Sequence, residues 1–126
     1  MALLGIGSAK IDLILEKDAY EWGEQVKGVF VVKGGLIEQQ LNRIECDLVV
    51  SDTENQKKDE QVVDSITIYT TKYIESNAEN HIPFIFRLPQ SIDSDGLVSY
   101  RFKSRLAFKE GVESLDHDVI TILQTN

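Results

Sequence analysis

The sequence predicts an all-β domain, an antiparallel β-sandwich, and three observations carry that prediction. Apolar residues recur with a period of two in segment after segment, as they do when one face of a strand lies on a core. The runs are short and separated by clusters of Gly, Asp, Asn and Ser, and no stretch shows the amphipathic pattern of a three-turn helix. The 126 residues fit a single domain that buries roughly two-thirds of its unfolded surface.

The first strand is read in KIDLILE, residues 10 to 16, with Ile11, Leu13 and Leu15 on one side and Lys10, Asp12, Ile14 and Glu16 on the other. A turn around Gly23 follows, then QVKGVFVVK with Val26, Phe30 and Val32 on one face and Gly28 leaving a gap in it. The pair Gly34 and Gly35 punctuates the chain and is expected to supply φ > 0. Beyond LIEQQL, the run RIECDLVV alternates Ile44, Cys46, Leu48 and Val50 with Arg43, Glu45 and Asp47.

Residues 51 to 61 contain no apolar side chain and read as a solvated connection. VVDSITIYTTKYI is rich in β-branched and aromatic residues, with Val62, Ile66 and Ile68 expected on a shared face. HIPFIFRLP, residues 81 to 89, holds both prolines; Ile82, Phe84, Phe86 and Leu88 are expected in the core, with Pro83 near the start of the strand and Pro89 ending its ladder. SIDSDG is turn chemistry. LVSYRFKSRLAF then places Val98, Tyr100, Phe102, Leu106 and Phe108 on one side, and KEGVESLDHD reads as a polar connection before a last short strand, VITIL.

A formal charge of −8 opposes non-specific attachment to nucleic acid or anionic lipid, which needs surface clusters of Lys and Arg. The single cysteine, Cys46, excludes an intrachain disulfide and fits a reducing compartment. The opening MALLGIGSAK lacks a basic n-region, and its apolar run is too short for a signal peptide or a membrane span. The expectation is a cytoplasmic protein without stable membrane insertion or a nucleic-acid partner.

Enzyme and cofactor chemistry finds little support. The GIG at 5 to 7 offers two glycines of a dinucleotide fingerprint without the preceding strand or the following helix. His81 and His117 are far apart, and no cysteine stands at metal-ligand spacing, so neither a catalytic site, nor a cofactor, nor a bound metal is assigned. The short acidic clusters Asp93, Asp95 and Gly96, and Asp116 with Asp118, resemble calcium-binding loops of sandwiches but fall short of an EF-hand spacing and are more simply explained as turn residues.

One feature departs from the overall acidity. Arg101, Lys103 and Arg105 alternate with the apolar set, so they project from one sheet face about 7 Å apart. They form either a site for an acidic or phosphorylated partner or one half of cross-strand pairs with acids such as Glu45 and Asp47.

Residues 5 to 48 together with HIPFIFRLP resemble the bacterial sporulation-control protein family of stage zero, type M, an arrestin-like family. The matching points are Gly-Ile-Gly-small-Ala-Lys at 5 to 10, Gly-Glu-x-Val-x-Gly at 23 to 28, Lys-Gly-Gly at 33 to 35, Glu38 and Gln39, and Ile-Pro-Phe-x-Phe-x-Leu-Pro at 82 to 89. The resemblance implies an immunoglobulin-like, arrestin-type sandwich without a catalytic centre. It implies a non-enzymatic regulator or scaffold in a developmental or stress programme that acts through protein partners, with self-association through sheet edges as a further expectation. Family members pair two lobes, and residues 1 to 126 are read as one N-terminal lobe, the second lobe being absent from this chain. The rival reading is a calcium-dependent sandwich that reaches anionic lipid through Asp93, Asp95, Asp116 and Asp118.

Overall fold

The computed structural model describes residues 8–52, 60–91 and 98–123. Strands in chain order are β1 (Lys10–Leu15), β2 (Ala19–Glu21), β3 (Gln25–Lys33), β4 (Gln39–Asp52), β5 (Gln61–Tyr69), β6 (Tyr73–Ile74), β7 (Glu79–Arg87), β8 (Val98–Phe108) and β9 (Gly111–Leu123). They form a three-stranded sheet, β1-β3-β7, and a six-stranded sheet, β2-β9-β8-β4-β5, in which β6 pairs with β4 beyond the end of β5. All ladders are antiparallel except that of β2 with β9.

The inner faces meet in an aromatic cluster. Phe84 of the small sheet packs edge to face on Phe30 with ring centroids 5.1 Å apart, and on Phe102 of the large sheet at 5.3 Å. Phe86 meets Phe102 edge to face at 5.1 Å, so two rings of the small sheet hold a single ring of the large one. Each such pair adds about 0.5–1.5 kcal/mol beyond the apolar area it buries. Val26, Val32, Leu41, Ile44, Leu48 and Leu106 complete the centre of the core. The alternation read in β1, β3, β4, β7 and β8 holds, with Leu15, Val50, Ile82 and Val98 only partly buried at its margins.

Pro83 lies inside β7, in register with Val29 of β3. Leu88 N–H donates to Glu24 O at 2.9 Å, and the period of two then turns the nitrogens of Phe86, Phe84 and Ile82 toward β3 as well. The nitrogen of Pro83 therefore points away from β3, to the outer edge of the sheet. A proline there removes no ladder bond and leaves the edge without one of its donors.

Three expectations need correction. The polar segment before VITIL belongs to a long strand, β9, paired with β8 from Gly111 onward. Val62 is exposed while Val63 packs against the core, because the β4–β5 register shifts between Leu48 and Val49 and reverses the parity of the strand end. Gly34 does not adopt positive φ; a side chain there would collide with the Glu75 carbonyl, so its requirement is close approach. Gly28 is constrained in the same way by the Ile14 carbonyl of β1, which explains the gap in the apolar face.

Candidate functional site

Arg101, Lys103 and Arg105 stand in a row on the outer face of β8, as the alternation predicts, and each meets a carboxylate. Arg105 donates from Nε to Glu45 at 2.6 Å and lies 3.4 Å from Asp47, both on β4. Lys103 reaches Glu60 at 2.6 Å, and Arg101 pairs with the same carboxylate. Arg43 bonds the second oxygen of Glu45 from its own strand. The hydrogen bond from Arg43, then that from Arg105, holds the Glu45 carboxyl below its ordinary range; Lys103, then Arg101, does the same for Glu60. Cross-strand pairing thus occupies the row, and Glu60, just before β5, is the participant that the sequence pattern did not disclose.

A second polar cluster lies at the seam between the sheets. β1 is an edge of the small sheet, and its Ile11 and Leu13 amides point away from β3. Side chains of β9 accept them: Ser114 Oγ from Ile11 N–H at 3.2 Å and Asp116 Oδ2 from Leu13 N–H at 2.9 Å. Asp118 is the next inward residue of β9, and the carboxylates of Asp12, Asp116 and Asp118 lie within 4.8 Å of one another. One oxygen of Asp118, Oδ2, is buried without a hydrogen-bond partner. Burial, then the neighbouring Asp116 carboxyl, pushes the Asp118 pKa up to about 7.

These positions bear on the calcium reading. Asp93 and Asp95 lie outside the described residues, whereas Asp116 and Asp118 are inward residues of a strand and not part of a loop. Calcium takes six to eight oxygens, roughly, and one Asp116 oxygen is already committed to the Leu13 amide. Three carboxylates, one of them with an oxygen already engaged, fall short of that number.

The remaining singled-out residues carry no chemistry together. His81 is exposed on β7 near Glu79, and His117 is exposed on β9 in register with Lys103. Cys46 is buried against Ser104, whose hydroxyl stands 3.4 Å from its sulfur, and burial pushes the thiol up to about 12. The GIG segment falls outside the described residues.

The edges of the two sheets differ. That of β7 carries Pro83. On the large sheet, Thr70 N–H donates to Asn42 O of β4 and Leu41 N–H of β4 to Lys72 O, so β5, the link and β6 follow β4 as one continuous margin. Among the described residues no strand pairs with the far side of β5. From the Thr70 contact, the period of two turns the Thr67 and Tyr69 amides outward. Val62, Tyr69 and Tyr73 along this margin are 58%, 78% and 59% exposed.

Comparison with known proteins accords with this geometry. The family model described as SpoOM protein matches residues 1–126. The chain belongs to the Spo0M family. The sporulation-control protein Spo0M of Bacillus subtilis is 36% identical to it over 127 residues, an alignment spanning 96% of this chain and 49% of the relative. The crystal structure of B. subtilis Spo0M superposes with a TM-score of 0.81 at 32% identity, over 95% of this chain and 51% of that one. The chain thus spans about half the length of the relatives it matches. A cycloisomaltooligosaccharide glucanotransferase from Paenibacillus reaches a TM-score of 0.56 at 13% identity, over 93% of this chain and 15% of that enzyme, which is a likeness of fold alone. Among the described residues of this Spo0M-family chain, no helix is long and apolar enough to cross a membrane.

Proposed function

We propose that this Spo0M-family chain is a non-enzymatic cytoplasmic regulator of sporulation or a related developmental programme, and that it acts by accepting a strand of a partner protein on its β5–β6 edge. The family membership and the name of the B. subtilis relative support the regulatory role. The contrast between the edges supports the mechanism: β7 is blunted by Pro83, while the β5 margin presents outward amides beside exposed Val62, Tyr69 and Tyr73. Strand addition uses such main-chain groups for affinity and flanking side chains for selectivity. The Arg101, Lys103, Arg105 face lies two strands in from this edge, beyond β4, with its cations engaged by Glu45, Asp47 and Glu60.

Thr67→Pro tests this mechanism. The change removes an outward donor and leaves the bonds to β4 in place, as Pro83 does on β7. In the producing bacterium, with the chromosomal copy deleted, the variant is expected to accumulate and melt like the wild type yet fail to restore the sporulation frequency. Restoration by Thr67→Pro, together with failure by a folded variant carrying Arg101, Lys103 and Arg105 changed to Glu, would move the interaction to the sheet face.

A further inference from the structure

We propose that Asp118 carries a proton that it shares with Asp116, and that this proton is a latch holding β1 of the small sheet against β9 of the large one. The geometry points to it in three steps.

Ser114 and Asp116 act as a substitute strand. Their side-chain oxygens, spaced by two residues on β9, accept the outward amides of Ile11 and Leu13, spaced by two residues on β1. Edge donors that would otherwise need water or another strand are satisfied across the sheet interface. Asp118 continues the series, but its Oδ2 is buried without a partner.

The second step is charge. Asp12, Asp116 and Asp118 lie within 4.8 Å of one another, and the ion pairs of the described residues all lie elsewhere. A like charge this close disfavours ionisation of its neighbour, and a carboxyl that keeps its proton can donate it to the next carboxylate. Asp116 is already an acceptor for Leu13 N–H, so the proton is placed on Asp118, whose carboxyl is pushed up by burial and by its neighbour. A protonated Asp118 adds a donor to the seam, and an ionised one adds a repelling charge.

The third step is access. Asp118 borders an open cavity of about 460 Å³ lined also by Leu13, Leu15, Glu16, Lys17, Asp18 and Val119. Asp12 approaches the Asp118 carboxylate from β1, and Glu16 and Asp18 bring further carboxylates to the cavity lining. Lys17 is turned to Glu24. β8 backs this point of β9 with Phe102, flanked by Tyr100 and Ser104 on its inner face. Solvent can thus reach the proton, and the groups around it favour its retention.

The sign follows from the folded state binding the proton more tightly than the unfolded chain. The latch contributes fully at pH below roughly 4, the ordinary carboxylate range, and is lost as pH rises through about 7. A change of pH around neutrality would loosen the β1 edge without unfolding the core.

The test compares wild type with Asp118→Asn, whose amide donates to Asp116 at any pH. The melting temperature of the wild type is expected to fall by several degrees between pH 5 and 8, roughly the interval of the latch, with the variant lacking that fall. Exchange of the Ile11 and Leu13 amides should accelerate with pH more steeply in wild type than base catalysis alone requires. Titration of the Asp118 carboxyl carbon by NMR needs no variant; a midpoint near neutrality supports the latch, and one in the ordinary carboxylate range overturns it. Parallel melting profiles for the two proteins would also overturn it. So would stabilisation of wild type by calcium at pH 8 that abolishes the difference, which would make the seam a cation site.

Discussion

Phe102 of β8 and Phe84 of β7 meet edge to face across the sandwich with their centroids 5.3 Å apart and their planes at 81°. Phe86 contacts the same Phe102 ring, so one side chain of the large sheet is held by two of the small one. Truncation at this point removes the main aromatic joint between the sheets. Phe102→Ala is expected to destabilise the fold by roughly 3–5 kcal/mol, read from chemical denaturation. Phe102→Leu should recover part of that loss, because it keeps apolar volume while losing the edge-to-face geometry.

Cys46 should be inert in the native protein. Its thiol is buried and pushed up to about 12 by desolvation, so the reactive thiolate is scarce at neutral pH and the sulfur is out of reach. A disulfide reagent at pH 8 is expected to label it only at the rate of unfolding, and at once in denaturant. Rapid native labelling would show that β4 and β8 separate locally.

The Glu45 and Glu60 carboxyls are held low by Arg43 with Arg105, and by Lys103 with Arg101. Their contribution is present above the unfolded carboxylate range, near pH 4.3 or so, and is lost as pH falls through their lower folded values. Replacement of both by Gln should flatten the acid limb of the melting profile and make it less sensitive to salt. With the Asp118 latch fading on the alkaline side, the wild type should be most stable at mildly acidic pH.

Pro83→Val restores an amide to the β7 edge without adding a bond to β3. Stability is expected to change little, while self-association increases, because a flat margin with a full set of donors is a template for another strand. Sedimentation velocity across a concentration series reads the difference, and an unchanged monomer fraction would show that Pro83 is not what protects this edge.

Much of the fold was legible because a strand with one apolar and one polar face states its own register. The even-numbered apolar residues of β4 and β8, and Phe84 with Phe86 on β7, required nothing beyond period two. β9 was hidden for a physical reason: its inward positions include Ser114, Asp116 and Asp118, which face the seam as hydrogen-bond acceptors and so look like a polar loop. Val62 was misplaced because a register shift reverses parity, and a linear pattern carries no sign of where a shift falls.

The same division holds for the candidate sites. The sequence by itself determined that Arg101, Lys103 and Arg105 share one face, since alternation is a local property of the backbone. Only the tertiary structure decided that Glu45, Asp47 and Glu60 answer them, that among the described residues β5 has no strand on its far side while Pro83 sits on the β7 edge, and that Asp12 meets Asp116 and Asp118. Each of these depends on which strands lie side by side and on which end of the sandwich they close, relations set by packing between residues distant in the chain.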